Sequence, residues 1–84
     1  MYQVVVSNKA EKVLAKLPIA VYGRMASALK KLSSNPRPAG CKKLRGRNAW
    51  RIRVGEYRAI YEIQDEILLV VVITVGHRRN IYEN

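Results

Sequence analysis

Apolar positions in the first half of the chain recur with the period of helices. One stripe follows i, i+3, i+4, i+7 spacing and consists of Ala10, Val13, Leu14 and Leu17. A second stripe, within residues 19 to about 33, consists of Tyr22, Met25, Ala26, Leu29 and Leu32. Pro18 separates the stripes, because proline ends one helix or starts the next at its first turn. The pattern therefore predicts two helices joined as a hairpin.

Two residues are candidate caps for the first helix. Ser7 and Asn8 both suit an N-cap position, and Asn8 with Glu11 resembles a capping box. Residues 2–6, just before these caps, are rich in valine, which favours strands. The chain is therefore expected to open with a short strand.

After a break at residues 34–40, which contain two prolines and a glycine, the apolar period changes to two. Trp50, Ile52 and Val54 alternate with Arg51 and Arg53, as in a strand that is buried on one side. We therefore expect Trp50 to belong to the core and the two arginines to lie on the opposite side.

Two further strands are predicted after this one. Gly55 and Glu56 suit a two-residue hairpin turn, so the next strand runs from Tyr57 to about residue 63. Residues 64–66 form a turn, and residues 67–75 are nearly all β-branched or leucine, which predicts an interior strand. The expected fold is α+β, in the order β-α-α-β-β-β. A helical hairpin covers one face of a mainly antiparallel four-stranded sheet, and the other face is open and basic.

The composition of the chain excludes several classes of protein. The 84 residues carry sixteen Lys and Arg against six Asp and Glu, a formal net charge of +10. The single Cys41 rules out an internal disulfide, and with the single His77 it cannot complete an ordinary four-ligand zinc site. The longest apolar run, residues 67–75, is far shorter than the ~20 residues of a membrane helix. We expect one cytoplasmic domain, residues 1–84, that needs no metal, cofactor or membrane and binds a polyanion.

Half of the sixteen cations lie in one short stretch. They are Arg37, Lys42, Lys43, Arg45, Arg47, Arg51, Arg53 and Arg58. With the turn at residues 55–56, Arg53 faces Arg58, and Arg51 lies on the same side of the sheet. Like charges placed opposite each other destabilise a sheet, whereas guanidinium groups bind phosphate through paired hydrogen bonds. A functional anion site is therefore favoured over a solvated cationic face.

Three segments together resemble the RelE/ParE superfamily of toxin–antitoxin toxins, and the RelE branch most of all. They are residues 43–46 (KLRG), 50–61 (WRIRVGEYRAIY) and 75–82 (VGHRRNIY). The resemblance covers essentially the whole chain. It implies a toxin encoded beside an acidic, RelB-like antitoxin with which it forms a hetero-oligomer.

RelE toxins enter the ribosomal A site and cut mRNA without a metal. The 2′-hydroxyl attacks the adjacent phosphate and leaves a 2′,3′-cyclic phosphate and a 5′-hydroxyl. By this resemblance the catalytic candidates are Arg51, Arg53, Arg58, Arg78, Tyr82 and His77. The candidates for binding RNA and the ribosome are Lys42, Lys43, Arg45, Arg47 and Arg79.

The identity of the general base stays open. In relatives the strand pair is often lysine, whereas here it is Arg51 and Arg53, and arginine does not deprotonate in a protein. The general base is therefore Tyr82, His77 or Glu56. Two other functions also fit: a ParE-like, non-enzymatic inhibitor of DNA gyrase, and an RNA-binding module without catalysis, since charge alone gives salt-sensitive binding.

Overall fold

The computed structural model describes residues 1–79 and has two helices and five strands. In chain order they are β1 (Gln3–Val6), α1 (Asn8–Leu14), α2 (Ile19–Lys31), β2 (Lys42–Lys43), β3 (Trp50–Val54), β4 (Tyr57–Gln64) and β5 (Leu69–His77), with a 3₁₀ turn at Asp65–Ile67. Within the part described, neither helix is long and apolar enough to cross a membrane.

The strands form one sheet in the order β1-β5-β4-β3-β2. β1 runs parallel to β5, and the other neighbours are antiparallel. The predicted α+β architecture is confirmed, with five strands instead of four. The additional strand is β2, whose two lysines show no alternation of apolar and polar residues that could have indicated it.

Ser7, rather than Asn8, caps α1. Its Oγ accepts a hydrogen bond from the Ala10 N–H at 3.1 Å and donates one to the Ile73 carbonyl at 2.7 Å. The cap therefore also ties the start of α1 to β5. The second helix ends at Lys31, two residues before the predicted end, and turns follow it.

The core lies between the two helices and one face of the sheet, which we call the helix face. Its fully buried side chains include Met25 and Leu32 from the α2 segment and Tyr61, Val70 and Val72 from β4 and β5. Trp50 is half-buried and packs against this core, as predicted.

The bounds of β5 differ from the prediction of residues 67–75. Ile67 and Leu68 are exposed, and Leu68 has a φ of 53°, so the chain is still turning there. The strand continues instead to Gly76 and His77, because these residues pair with β4. The β-branched and leucine-rich composition of residues 67–75 did not indicate that Ile67 and Leu68 belong to the turn before the strand.

The face of the sheet opposite the helices is not uniformly basic, contrary to the prediction. Leu44, Ala49 and Ile60 form a second buried cluster there. The Leu44 N–H donates to the Ala49 carbonyl at 2.9 Å, which continues the β2–β3 pairing by one step. The exposed cations therefore surround a small apolar centre.

Candidate functional site

The β3–β4 hairpin places two arginines opposite each other. Gly55 has a φ of +59°, which glycine adopts without strain, and it makes the two-residue turn possible. Val54 pairs with Tyr57, and the next step along the ladder pairs Arg53 with Arg58. This is the predicted register.

Arg53 and Arg58 form a non-hydrogen-bonded cross-strand pair, the type of pair in which opposite side chains lie closest. In a two-residue hairpin the residues that flank the turn, here Val54 and Tyr57, form the hydrogen-bonded pair, so the next pair is not hydrogen-bonded. The Cα atoms of such pairs are about 4.5 Å apart, against about 5.5 Å in hydrogen-bonded pairs. The two arginine side chains therefore leave the sheet from adjacent positions.

Arg51 lies on the same side of the sheet, between its partners Lys42 and Ile60. We call this side the arginine face, defined by Arg51, Arg53 and Arg58. Arg51 has only 7% of its surface exposed, whereas Arg53 is exposed and Arg58 half-buried. The alternation pattern predicted the common face of the three arginines, but it did not indicate that Arg51 is covered.

Arg78 is held at the hairpin turn by Glu56. Its Nε lies 2.8 Å from Glu56 Oε2, and its N–H donates to the Glu56 carbonyl at 2.8 Å. This backbone bond continues the β4–β5 register by one step beyond the pair of Tyr57 and His77. The structure therefore brings Arg78 to the end of the hairpin from which Arg53 and Arg58 extend.

His77 lies on the other side of the sheet. It pairs with Tyr57 on the helix face, and the two rings meet edge to face with centroids 5.4 Å apart. Its Nδ1 accepts the Arg79 N–H at 3.2 Å, and the ring helps to line a cavity of about 390 Å³ with Lys9 and Lys16. The structure thus separates His77 from the arginine face. Tyr82 lies outside the described residues.

Residues 4–82 match the family described as ParE toxin of type II toxin–antitoxin system, parDE. The chain belongs to the ParE toxin family.

This ParE-family toxin is also similar to proteins named RelE. It is 36% identical over 80 residues to an Escherichia coli protein described as a RelE-like toxin, covering 92% of this chain and 83% of that protein. It is 32% identical to a chain of the RelBE2 toxin–antitoxin complex of Mycobacterium tuberculosis, with a TM-score of 0.80 and coverage of 92% and 98%. A chain of the RelE–RelB complex from Pyrococcus horikoshii is 27% identical, with a TM-score of 0.84 and coverage of 95% and 98%. The predicted superfamily is confirmed: this is a toxin of a RelBE-like type II toxin–antitoxin system.

The remaining predicted cations of the toxin lie around the edge of the sheet. Lys42 pairs with Arg51, and Lys43 donates from Nζ to the Arg47 carbonyl at 2.7 Å, which holds the turn after β2. Arg45, Arg47 and Arg79 are exposed. The β2 edge of the sheet and the residue after Arg78 therefore carry further exposed positive charge.

Arg24 is a cation near the site that the sequence did not indicate. It belongs to α2, yet its Nη1 lies 3.8 Å from the position that a Cβ on residue 55 would occupy. Its guanidinium therefore reaches the hairpin turn from the helix face. Only the packing of α2 against the sheet determines this position, so no sequence motif could have shown it.

Arg37 was counted with the cationic stretch, but it is engaged elsewhere in the toxin. Its two terminal nitrogens donate to Asp65 at 3.2 and 2.8 Å, and Tyr2 donates to the same carboxylate at 2.6 Å. These hydrogen bonds, from Arg37 first and then Tyr2, hold the pKa of Asp65 below its usual value. The guanidinium also lies 5.0 Å from the centre of the Trp50 ring. Arg37 thus fastens the loop after α2 to the sheet.

The side chains of the site suit the binding of anions. His, Cys, Asp and Glu side chains within residues 1–79 form no group of three or more that could hold a metal. Opposed guanidinium groups can instead hold a phosphate and stabilise negative charge that develops on it. Arginine alone cannot move the proton that a cleavage reaction must transfer.

Proposed function

We propose that this toxin is an endoribonuclease that needs no metal and cuts mRNA in the ribosomal A site, and so inhibits translation in the cytoplasm. The observation that carries the proposal is the Arg53–Arg58 pair, whose members lie in the closest cross-strand position on the sheet face that the helices leave uncovered. Like charges in that position oppose folding, and two adjacent guanidinium groups can bind one phosphate through paired hydrogen bonds.

The reaction needs three contributions. The 2′-oxygen of the nucleotide forms a bond to the adjacent phosphorus, and the bond from phosphorus to the 5′-oxygen breaks. A base takes the 2′-hydroxyl proton and an acid gives one to the leaving oxygen, which leaves a 2′,3′-cyclic phosphate and a 5′-hydroxyl. Arg53, Arg58 and Arg78 would stabilise the extra negative charge of the pentacoordinate phosphorus.

Proton transfer in this proposal rests on Tyr82 or Glu56. His77 is left out because it lies on the helix face, across the sheet from the arginines. The Glu56 carboxylate is already paired with Arg78 at 2.8 Å, an arrangement that suits positioning of that guanidinium. Ionisation of a tyrosine near neutral pH needs strongly cationic surroundings, because its ordinary pKa is about 10.

The partner that follows is an acidic, RelB-like antitoxin. Several structures with the same fold are complexes named RelB–RelE or RelBE. A net charge of +10 on 84 residues favours an acidic protein that neutralises the arginine face when it binds. Ribosome and mRNA would be the competing polyanions.

A ParE-like inhibitor of DNA gyrase is the second candidate, because the matching family carries the ParE name. That function requires no phosphate chemistry, so it gives no reason for the opposed arginines. The gyrase candidate would leave mRNA intact and accumulate gyrase–DNA complexes.

Translation in vitro with purified toxin tests the choice. Mapping of mRNA ends should show cuts within codons of translated messages, and Arg58→Gln should slow cleavage by about 10²–10³, as removal of a transition-state contact does. Lys12→Gln, which removes one exposed charge from α1, is the matched control and should cleave like the wild type. Uncut mRNA with the wild-type toxin would refute the proposal, and so would full activity of Arg58→Gln.

A further inference from the structure

Arg24 presents an unpaired guanidinium group at the β3–β4 turn. No hydrogen bond or ion pair joins it to another of residues 1–79. The next residue, Met25, is fully buried, and α2 packs against β3. The backbone at Arg24 is therefore fixed, although its side chain is exposed.

The two terminal nitrogens of this guanidinium face an empty position beside Gly55. Nη1 and Nη2 of Arg24 lie 3.8 and 4.0 Å from the point that a Cβ on residue 55 would occupy. Apart from Gly55 and its chain neighbours, no other atom of residues 1–79 lies within 4 Å of that point. An oxygen about 1 Å closer to the guanidinium would accept hydrogen bonds from both nitrogens. Glycine therefore permits the φ of +59° and also leaves room for an anion.

Positive charge predominates around this turn. Glu56, the carboxylate of the turn itself, is already paired with Arg78 at 2.8 Å. Arg53 and Arg58 lie one step along the ladder from the two residues that flank the turn. Arg24 thus adds a fourth guanidinium group to a turn whose own carboxylate is engaged, so its charge is available to a ligand.

We propose that Arg24 binds an RNA phosphate next to the one that is cut, so that the bound strand passes around the end of the hairpin toward α2. This inference rests on the proposed cleavage of mRNA and adds a binding residue to it. The scissile phosphate would lie between Arg53 and Arg58. Gly55 is two residues from Arg53, about 7 Å along the strand, a distance that one nucleotide of an extended RNA strand can cover.

Arg24 would contribute to binding rather than to the chemical step. Its guanidinium approaches the turn from the helix face, whereas the phosphate that reacts would lie on the arginine face. A contact that is equally strong in the ground state and the transition state raises affinity without changing the rate at saturation. Arg24→Gln should therefore raise KM about tenfold, as loss of a charge-assisted hydrogen bond does, and leave kcat within about twofold.

An acidic side chain of a partner protein is the other ligand that fits a guanidinium fork, because a carboxylate also has two oxygens. Phosphate is favoured here by the position of Arg24. It shares the turn with Arg78 and the neighbouring arginine pair, which the proposed reaction needs on the same RNA strand. One continuous strand would satisfy all four groups.

Binding to ribosomes tests the proposal without cleavage, when the A-site codon of the mRNA carries 2′-O-methyl groups that block attack. Arg24→Gln should weaken binding about tenfold and reduce the slope of log affinity against log salt by about 0.7, the value for one phosphate of a single strand. Arg24→Lys keeps the charge but loses the fork, so it should keep the slope and recover only part of the affinity. Equal binding by Arg24→Gln and the wild type overturns the proposal.

Lys30→Gln is the matched control. It removes one exposed charge from the same helix, but Lys30 lies near Met1, away from the turn. This variant should bind the ribosomes like the wild type. A loss as large as that of Arg24→Gln would mean that α2 contributes only general charge, which contradicts a defined contact.

A neutral methylphosphonate in place of one phosphate locates the contact. Placed on the correct side of the scissile phosphate, it should weaken wild-type binding about tenfold and have little further effect on Arg24→Gln. The two changes remove the same interaction, so their effects should not add. Additive losses on both sides of the scissile phosphate would contradict the assignment.

The failures of the two proposals are distinguishable. If the wild-type toxin neither binds the ribosomes nor cuts mRNA, the proposed function fails. If it cuts mRNA and Arg24→Gln leaves KM unchanged, only the role of Arg24 fails. Normal ribosome binding by Arg24→Gln, together with a weaker complex with the acidic protein encoded beside the toxin, would assign Arg24 to that protein and refute the RNA contact.

Discussion

Arg53 and Arg58 face each other across the β3–β4 hairpin as a non-hydrogen-bonded pair, the position in which two side chains of a sheet lie closest. Arg51 shares their face but is largely covered. A sheet selected for stability alone would place opposite charges there. The pair therefore links the stability of the toxin to its proposed phosphate chemistry.

Removal of one member of this pair should stabilise the fold and impair cleavage. Arg53→Gln relieves the repulsion with Arg58, so the free energy of unfolding should rise by about 0.2–1 kcal/mol. The gain should shrink at high salt, because ions screen exposed charges. Urea denaturation at two salt concentrations measures the first effect, and mRNA cleavage measures the second. A loss of stability in Arg53→Gln would show that the pair does not repel.

The Arg37–Asp65 contact should make the fold sensitive to acid. Arg37 and Tyr2 lower the pKa of Asp65 in the folded state below the unfolded value of about 3.9. The contact therefore contributes fully to the free energy of unfolding above the unfolded pKa of Asp65. This contribution is lost as the pH falls through the lower pKa of the folded state. Asp65→Asn should flatten the dependence of the urea midpoint on pH below about 4. If the urea midpoint of the variant depends on pH as steeply as that of the wild type, the Arg37–Asp65 contact is not the source of the acid sensitivity.

The hairpin register was predictable because two local signals agree. Alternation from Trp50 to Val54 sets which residues share a face, and Gly55 sets where the chain turns. The Arg37–Asp65 contact was not predictable, because it joins residues 28 positions apart through a loop without periodicity. Alternation likewise did not indicate that Arg51 is covered, whereas Arg53 on the same face is exposed. Sequence pattern therefore located the arginines, and tertiary packing decided which of them are exposed.

Tyr61 should be a structural residue despite its hydroxyl. Its ring is fully buried and its hydroxyl donates to the Pro36 carbonyl at 2.7 Å. Burial raises the pKa of Tyr61, so it stays protonated at any physiological pH. Tyr61→Phe leaves a buried carbonyl without its donor and should lower the free energy of unfolding by about 1–3 kcal/mol.

The half-buried Tyr57 provides the matched control for this measurement. Tyr57→Phe should change the free energy of unfolding far less in the same urea titration. Equal losses for both variants would mean that the bond to Pro36 contributes nothing specific.

His77→Gln should retain cleavage, because the imidazole lies on the helix face beside Tyr57. Loss of a general acid or base usually lowers a rate by about 10²–10⁴, and we expect a much smaller change. The pH profile of cleavage should also keep its shape. A large loss of cleavage rate together with a changed acid limb of the pH profile would show that His77 takes part in the reaction.

Glu56→Gln should separate positioning from proton transfer. The substitution removes the charge that holds Arg78 at 2.8 Å, so the cleavage rate should fall while the pH profile keeps its shape. A matched Glu62→Gln change, on β4 away from the turn, should leave the rate unchanged. Disappearance of the acid limb in Glu56→Gln would identify Glu56 as the base.

Sequencing of RNA 5′ ends in cells that express the toxin tests the central claim most directly. The account predicts new 5′-hydroxyl ends inside the translated parts of mRNAs with the wild-type toxin, and their loss with Arg58→Gln at equal protein level. Growth arrest with intact mRNA, accompanied by gyrase–DNA complexes, would contradict it and establish the ParE-like function instead.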